Sequence, residues 1–547
     1  MSGAMRILFI IPPYFNIKDY IDIGQSMSTS LPAFTSPYGI LSIDSYIKAH
    51  VKAKVETELL DLNINALNVI KGDCKFHKSF FKDIVKNRVH DYQPDIVGIS
   101  ALFNTSYNDL GLTARAVKEQ QNSIYVIAGG GLPTNLYEKI LEEFPQIDAI
   151  CYGEGEIPMA DLLNASDYEK LIYEHQSWIN VQTVKAGKQM RDSFVNNLDE
   201  IPAFDYSLLN LEDYNARSLD KRYSGNDKKR EMSIHTSRGC PFRCVFCSNM
   251  KLHGRKVRFM SINKVINEVR RMKDEFAATV LLVEDDHFFA DVERAKIILE
   301  RLSELNLRIE FPNGLAVYAI DEEIGRLLKK AGVSSVSLAI ESGSDYVLNR
   351  IINKPLKSGM IKDKVEILKN NGITVHAFIV IGLPGEMDEH RLETQTMLLD
   401  VGFDWVHIFI GIPIVGSRLY DICIENNYLI DNDMKNHIIS RANIKAPGVD
   451  PVKIEESAYQ MNLMVNFVKN WNMSQGHYEK AVSYFKNITD KYPDHAFAHY
   501  FLSKAYEYMG YDKELITNHN NAFKYSIENN GKWKEYTNLF GLLHNNY

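Results

Sequence analysis

RGCPFRCVFC, residues 238–247, contains three of the chain's six cysteines. The other three, at positions 74, 151 and 423, are scattered, so the set is too sparse for a disulfide framework. Iron–sulfur clusters and zinc both accept closely spaced thiolates. A structural zinc site would need a fourth ligand, for which His235 and His253 are unsupported candidates. A cluster held by three thiolates instead leaves one iron open to bind a substrate or cofactor.

Strand-like apolar runs surround this stretch and alternate with helix-length segments. They cover residues 232–236, 279–284, 308–311, 334–341, 373–381 and 405–412. Such alternation predicts a parallel sheet. Six strand–helix units over residues 231–430 predict a partial (β/α)6 barrel, with its active site at the carboxyl ends of the strands.

A second alternating pattern precedes the barrel. Apolar runs at 6–12, 57–61, 95–100, 124–128 and 148–152 predict an α/β, Rossmann-like domain over residues 1–160. Several runs end in glycine, proline or small polar residues, which would meet at the edge where open sheets bind ligands. Residues 161–230 lack a clear period and end in LDKRYSGNDKKR, so we interpret them as a linker segment.

The carboxy-terminal region, residues 431–547, has helical spacing and loses the strand pattern. Gly476 and Gly510 each precede a similar aromatic and charged stretch, and their separation equals the tetratricopeptide period of about 34 residues. Two unrelated amphipathic hairpins would give the same helices. We expect an all-helical, tetratricopeptide-like tail that either binds a protein partner or caps the active site.

Composition excludes several classes of protein. The 547 residues include 45% hydrophobic residues, and 62 Lys and Arg against 70 Asp and Glu give a net charge of −8. This mild charge disfavours a nucleic-acid partner. The apolar runs fall short of the roughly 18 residues of a membrane span. The start, MSGAMRILFIIPPY, has the pattern of a buried strand rather than an export signal, so we expect a cytoplasmic protein.

The cysteine spacing C-x3-C-x2-C at the first strand of a six-unit partial barrel resembles the radical S-adenosylmethionine superfamily. The resemblance implies that Cys240, Cys244 and Cys247 hold a 4Fe-4S cluster whose open iron binds S-adenosylmethionine. Reductive cleavage would then give a 5′-deoxyadenosyl radical that abstracts a substrate hydrogen. Motifs at later strand ends resemble the family's S-adenosylmethionine contacts, which by this resemblance are Phe246, Glu284, Asp285, Glu341, Ser342, Ile381 and Gly382. His376 stays unassigned, because a lone histidine in an apolar run is more often a core residue.

The amino-terminal motifs resemble the superfamily branch that carries a cobalamin-binding domain. The resemblance implies that cobalamin contacts Pro12, Pro13, Tyr14, Tyr38, Gly39, Ser100, Asn104, Gly129, Gly130, Gly131, Leu132, Gly153 and Glu154. The D-x-H-x-x-G segment that supplies a cobalt-binding histidine in many cobalamin proteins is absent, so histidine ligation is not expected. A domain that kept the sheet but lost the cofactor would show the same strands.

The combined resemblance implies a cobalamin-dependent enzyme that methylates an unactivated carbon, or phosphorus, of a small metabolite or lipid precursor. An electron donor such as flavodoxin or ferredoxin would reduce the cluster. Cyclisation, rearrangement or oxidation without methyl transfer would use the same cofactors. A methylthiotransferase fits less well, because only Cys74 and Cys151 precede the triad. A helical-repeat scaffold with a structural or electron-transfer cluster is the alternative from another class.

Overall fold

Six strands form the amino-terminal sheet of the computed structural model, which describes residues 4–15, 17, 35–214, 230–437 and 441–543. The strand order is β2-β1-β3-β4-β5-β6, parallel except for β6. Their bounds are β1 Met5–Ile11, β2 Val55–Asp61, β3 Ile96–Ser100, β4 Tyr125–Gly129, β5 Ala149–Cys151 and β6 Trp178–Ile179. The first strand is a continuous apolar run because both faces are covered: Ile7 and Ile10, on opposite faces, are fully buried.

Eight helices cover this sheet or follow it. They are α1 Tyr38–His50, α2 Leu62–Ile70, α3 Phe80–Tyr92, α4 Tyr107–Gln120, α5 Gly131–Glu143, α6 Glu156–Asn164, α7 Tyr168–Glu174 and α8 Val181–Lys185. Strand β6 and helices α7 and α8 lie in the segment that the sequence suggested as a linker. A strand of two residues has no period to detect, so only the structure reveals that the sheet continues past residue 160. Residues 219–229, at the end of that linker, lie outside the described residues.

The central region contains six parallel strands in two sheets, ordered β11-β10-β7 and β12-β13-β14. A parallel bridge between Leu315 and Leu338 connects the β12 strand to the loop after β11. The strands are β7 Glu231–Ile234, β10 Val280–Val283, β11 Arg308–Glu310, β12 Ser335–Glu341, β13 Thr374–Ile381 and β14 Trp405–Ile410. Each coincides with a run predicted as a strand. The short antiparallel hairpin of β8 Ser237–Arg238 and β9 Arg258–Phe259 was not predicted.

Helices alternate with these strands and then continue alone. The central helices are α9 Asn249–Leu252, α10 Ile262–Phe276, α11 Val292–Leu302, α12 Glu322–Lys330, α13 Ile361–Asn370, α14 Asp388–Val401 and α15 Arg418–Glu425. The tail helices are α16 Pro451–Leu463, α17 Trp471–Ser474, α18 Tyr478–Lys491, α19 Ala496–Tyr508, α20 Lys513–Asn529 and α21 Gly531–Leu539. The predicted α/β architecture with an all-helical carboxy-terminal region is therefore confirmed.

Hydrophobic cores join these parts. One core runs from the face of β1 that carries Ile7 and Phe9 into the central sheets, where it includes Ile234 and Val375. The tail has its own core, which includes Trp405 at the start of β14. Within the described residues, we find no helix with the length and apolar character needed to cross a membrane.

Candidate functional site

The three cysteines lie on the loop of residues 239–257, which connects β8 to β9 and is called the cluster loop below. The loop starts at Gly239, whose φ of +97° suits glycine, and a Cβ there would lie 2.8 Å from the Lys256 carbonyl oxygen. The Cys240 amide donates to the Gly254 carbonyl at 3.3 Å. The beginning and the end of the loop therefore pack directly against each other.

The three thiols are half-buried and lie near backbone N–H donors. All three are unpaired and half-buried. Burial raises the pKa of Cys240 to about 11, while the amide of Phe242, which donates to its sulfur, opposes that rise. The amide of Asn249 acts in the same way on Cys247. Such N–H donors and three free thiols match the requirements of a 4Fe-4S cluster. Among the described residues, no group of three or more His, Cys, Asp and Glu side chains is arranged to hold a single metal ion.

Lys354 is a functional candidate that sequence reasoning missed. Its Nζ donates to the Ala339 carbonyl at 2.5 Å and to Glu341 Oε1 at 3.0 Å. Its charge lowers the pKa of Cys244, although burial, the larger effect, raises that pKa to about 12. Lys354 follows an irregular helical turn, Val347–Ile352, and belongs to no motif that the sequence reveals. It places a cation between the cluster loop and the predicted S-adenosylmethionine contacts.

Glu341 and Ser342, predicted to contact the ribose of S-adenosylmethionine, lie at the irregular end of β12. Glu341 has a φ of +72°, unusual for a residue with a side chain, and the strand register shifts beside it. Ser342 is fully buried and shares a 3.0 Å hydrogen bond with Thr394 on α14. The conformation is held by the surrounding structure, as is common where a backbone is shaped for a ligand.

The three carboxylates after β10 have different partners. Asp285 accepts three short hydrogen bonds, from the amide and hydroxyl of Thr236 and the hydroxyl of Ser237. Asp286, which was not predicted, accepts from the Gly239 amide at 2.9 Å. Glu284 accepts from the Ser233 hydroxyl at 2.9 Å, and burial raises the pKa of its carboxyl group. Of the two predicted contacts, Glu284 thus keeps more free acceptor capacity than Asp285.

The remaining predicted S-adenosylmethionine contacts pack against the central core. Phe246 is half-buried and Ile381 is fully buried. Gly382 has a φ of +83°, and a Cβ there would lie 2.8 Å from Ile454 on α16. Its amide donates to Glu386 Oε2 at 2.5 Å. The tail helix therefore packs tightly on the turn after β13, where only glycine fits.

The predicted cobalamin contacts of the amino-terminal sheet gather at its carboxyl edge. The sheet reverses its winding between β1 and β3, which is where open α/β sheets form a crevice for ligands. Ser100 and Gly129 are register neighbours at the ends of β3 and β4. At Gly130 a Cβ would lie only 2.6 Å from the Ala101 carbonyl oxygen. Pro12, Pro13 and Gly153 belong to the loops that follow the neighbouring strands, and Gly131 is the first residue of α5.

An apolar rim at this crevice was missed from the sequence. Leu102 and Phe103 are 56% and 53% exposed, and the Phe103 ring lies 5.3 Å from the ring of Tyr14. The Thr105 hydroxyl donates to the Tyr14 carbonyl at 2.6 Å, which joins the loops after β1 and β3. The rim suits a large, partly apolar ring system, so the residues present fit a corrinoid.

The other predicted cobalamin contacts have different surroundings. Leu132 is buried in a core of the amino-terminal domain. The Tyr38 ring packs 4.4 Å from His235 of the central region, and burial raises the pKa of Tyr38 to about 12. Gly39 follows it on α1, with open space where a Cβ would stand. Asn104 reaches the Val415 amide at 3.4 Å. Glu154 pairs with Arg258 beside the cluster loop.

Two family models match this chain in agreement with these sites. The Radical SAM superfamily model matches residues 234–398, and the B12 binding domain model matches residues 27–163. The first spans the three cysteines and the strands from β10 to β13. The second spans the strands from β2 to β5 and includes Leu102 and Phe103 of the apolar rim.

Alignments with similar proteins cover more of the chain than either family model. The cytidylyl-2-hydroxyethylphosphonate methyltransferase of Streptomyces wedmorensis is 27% identical over 81% of this chain and 90% of its own length. The anaerobic magnesium-protoporphyrin IX monomethyl ester cyclase of Rubrivivax gelatinosus is 28% identical over 72% of this chain and 66% of its own.

Among solved structures, the cobalamin-dependent S-adenosylmethionine radical enzyme OxsB superposes with a TM-score of 0.61 at 15% identity, covering 99% of this chain and 81% of that one. This likeness supports the arrangement of the fold. The two family models and the three-cysteine loop lead to one conclusion: the chain is a radical S-adenosylmethionine enzyme that carries an amino-terminal cobalamin-binding domain.

Proposed function

We propose that this enzyme transfers a methyl group to an unactivated carbon, or to phosphorus, of a small metabolite or lipid precursor. The observation that carries the proposal is the similarity to a phosphonate methyltransferase over 81% of the chain and 90% of the length of that protein. Its cofactors are a 4Fe-4S cluster, S-adenosylmethionine and cobalamin. When bound, they supply reductive radical initiation and a methyl carrier.

The chain's own residues hold and orient these groups. Cys240, Cys244 and Cys247 bind the cluster. Lys354 presents a cation, and Glu284 a carboxylate, to the two ends of an amino acid such as methionine. The Glu341 turn and the backbone around Gly382 offer hydrogen-bonding groups to a nucleoside, and Phe246 offers an apolar ring.

The amino-terminal domain contributes an apolar surface beside the central strands. Leu102 and Phe103 form an apolar surface at the sheet edge, which a corrinoid would cover. The loop containing Asn104 contacts residues 413–415 after β14, so the crevice faces the carboxyl end of a central strand. A corrinoid that covers this surface would shield the reacting atoms from solvent.

The test is anaerobic turnover of enzyme supplied with cobalamin, S-adenosylmethionine and a reductant. The panel of substrates includes cytidylyl-2-hydroxyethylphosphonate. We expect 5′-deoxyadenosine and S-adenosylhomocysteine in about equal amounts. Cys244→Ala abolishes 5′-deoxyadenosine, whereas Cys74→Ala, at an exposed cysteine outside the loop, leaves it unchanged.

A second candidate is cyclisation or oxidation without methyl transfer. It is favoured by the similarity to the protoporphyrin ester cyclase over 72% of the chain. In that case 5′-deoxyadenosine forms without S-adenosylhomocysteine while cobalamin stays bound. A scaffold with a structural cluster would give neither product.

We also propose how the central sheets, the domains and the tail are organised. The two central sheets form one six-stranded partial barrel, with support from the bridge between Leu315 and Leu338. The domains are residues 1–160, 231–430 and 431–547; residues 161–230 link the first two and also add β6 to the amino-terminal sheet. The tail is tetratricopeptide-like: Gly476 and Gly510 have φ values of +74° and +69°, and each precedes a pair of helices.

The external partners are proposals as well. A flavodoxin or ferredoxin reduces the cluster, with support from the exposed Arg243 and Lys256 beside the cysteines, which suit an acidic protein. The tail is a candidate surface for a further protein partner. A cytoplasmic location fits the unpaired cysteines, because a reducing compartment preserves thiols.

A further inference from the structure

Two arginines stand at the base of the cluster loop. Arg238 on β8 and Arg258 on β9 are direct cross-strand partners, and each is only 5% exposed. Like charges opposite each other on neighbouring strands repel, and buried charges without partners are strongly unfavourable. The hairpin that closes the loop therefore depends on negative charge from elsewhere.

The amino-terminal domain supplies that charge. Glu154, in the loop after β5, binds both terminal nitrogens of Arg258, at 2.8 and 2.6 Å. It also lies 3.3 Å from Arg238. Glu156, at the start of α6, accepts a 2.8 Å hydrogen bond from Arg238, and Ser42 bonds to both of these residues. Two carboxylates thus neutralise two guanidinium groups in a buried network.

The network includes both ends of the cluster loop. His253, near the end of the loop, contacts Glu154 Oε1 at 2.8 Å through Nδ1, and its carbonyl accepts from Arg258 at 3.1 Å. Arg258 also donates to the Val195 carbonyl and lies 4.4 Å above the Phe194 ring. Arg238 immediately precedes Gly239 and Cys240. A shift of Glu154 would therefore be transmitted directly to the first ligating cysteine.

Glu154 has no capacity left for another ligand. One oxygen takes Arg258 and His253, and the other takes Arg258 and Arg238. Burial by itself would raise the pKa of Glu154, but the neighbouring cations outweigh it and hold the pKa far below its usual value. The group stays ionised and fully engaged with the protein, which contrasts with the role that the sequence suggested for it as a cobalamin contact.

We propose that Glu154 and Glu156 are positioning residues for the cluster loop: from the cobalamin-binding domain they neutralise Arg238 and Arg258 and so fix the three cysteines before any cofactor binds. The domain does more than hold cobalamin, since it preorganises the iron–sulfur site of its neighbour. The proposal is independent of which reaction the enzyme catalyses.

The test is hydrogen–deuterium exchange on the full-length, cofactor-free chain. Glu154→Gln keeps the shape of the side chain and removes its charge. We expect peptides covering residues 239–257 to exchange at least tenfold faster than in the wild type, including the Val245 amide, which donates to the Ile352 carbonyl at 2.8 Å. After reconstitution, the variant should retain less than half of the wild-type iron.

Asp404→Asn is the matched control. Asp404 is also a buried carboxylate in an ion pair between two regions, 2.6 Å from Lys480 on α18, but it lies away from the cluster loop. Its substitution should speed exchange in residues 478–491 and leave both the 239–257 peptides and the iron content unchanged. Equal loosening of the cluster loop in this control would overturn the proposal.

Two further variants keep the test decisive if Glu154→Gln folds poorly. Glu156→Gln removes only the partner of Arg238 and should give a smaller increase in exchange of the same peptides. Adding Arg258→Met to Glu154→Gln removes the uncompensated cation and should restore at least part of the protection. Unchanged loop exchange and full iron in Glu154→Gln, with weakened cobalamin retention, would show instead that Glu154 is a cobalamin contact.

Discussion

Glu386 is fully buried beside the turn after β13, and its carboxylate accepts the Gly382 amide. Burial raises the pKa of Glu386 from 4.5 to about 7, and Arg391, at 3.7 Å, offsets only part of that rise. Between pH 4.5 and about 7, the Glu386 carboxyl group is ionised in the unfolded chain but stays protonated in the folded chain. Folding stability from this group therefore falls as pH rises through the window.

Glu386→Gln should remove this pH dependence. We expect the unfolding free energy of the wild type to decrease, relative to the variant, by up to about 3 kcal/mol between pH 4.5 and 7. Urea unfolding at a series of pH values measures the difference. Glu389→Gln, at an exposed position nearby, is the control. Parallel curves for the wild type and Glu386→Gln would contradict the assignment.

Gly239→Ala should disrupt the cluster loop. A Cβ at Gly239 would lie 2.8, 3.1 and 3.2 Å from the carbonyl oxygens of Lys256, Gly254 and His253. Iron retained after reconstitution should fall below about half. Gly187→Ala has the same type of backbone, with a φ of +69°, but nothing within 4 Å of the Cβ. It should cost only about 1–2 kcal/mol of backbone strain and keep full iron. Equal iron retention in the two variants would show that the contacts of a Cβ at position 239 with these carbonyl oxygens do not disrupt the loop.

Candidate site residues could be proposed from sequence where a short motif contains them. The three cysteines and the glycines at strand ends stand in such motifs. Lys354, Leu102 and Phe103 do not, because their positions depend on how distant segments pack. Glu154 shows a second limit of sequence analysis. Its place after β5 could be inferred, but its carboxylate binds arginines of a distant hairpin, where Arg258 lies 104 residues later in the chain.

At the scale of elements, apolar runs predicted the longer strands well. β1, β12 and β13 each have seven or eight residues, enough to display their pattern. The two-residue strands β6, β8 and β9 have none, and they were missed. Yet the β8–β9 pair closes the cluster loop. Short elements fixed by tertiary contacts thus carry functional geometry that periodicity does not reveal.

Strand β14 lies at the edge of its sheet, and the tail covers that edge. Asn466 accepts from the Val406 amide at 2.9 Å and donates to the Val406 carbonyl at 2.8 Å. Asn466→Ala should leave both buried backbone groups without a partner and destabilise the protein by about 2–4 kcal/mol. Denaturant unfolding measures this loss. Asn529→Ala, which removes an exposed bond within one helix, should cost less than about 0.5 kcal/mol.

At the scale of the whole molecule, the cofactor domains share one core. Ile7 and Phe9 of β1 and Ile40 of α1 belong to the same apolar cluster as Ile234 and Val265 of the central region. Phe204 and Tyr206, in the predicted linker, complete it. The sequence suggested separate domains because it shows where each strand–helix alternation ends. It does not show which sheet and helix faces pack against each other.

Residues 1–230 expressed alone should therefore not form a stable domain. The fragment keeps the core on one face of the amino-terminal sheet, which includes Leu8 and Val97. It loses Ile234, Val265 and the other central residues that belong to the same apolar cluster as Ile7 and Phe9, and it leaves Glu154 without its arginines. Exposed apolar surface of this kind binds hydrophobic dyes and promotes aggregation. We expect anilinonaphthalene sulfonate fluorescence at least about fivefold above that of the intact chain.

Co-expression with residues 231–547 should return the fluorescence to the level of the intact chain, because the central region then packs against the fragment. A monodisperse fragment with cooperative unfolding and no dye binding would mean that the two cofactor domains fold independently.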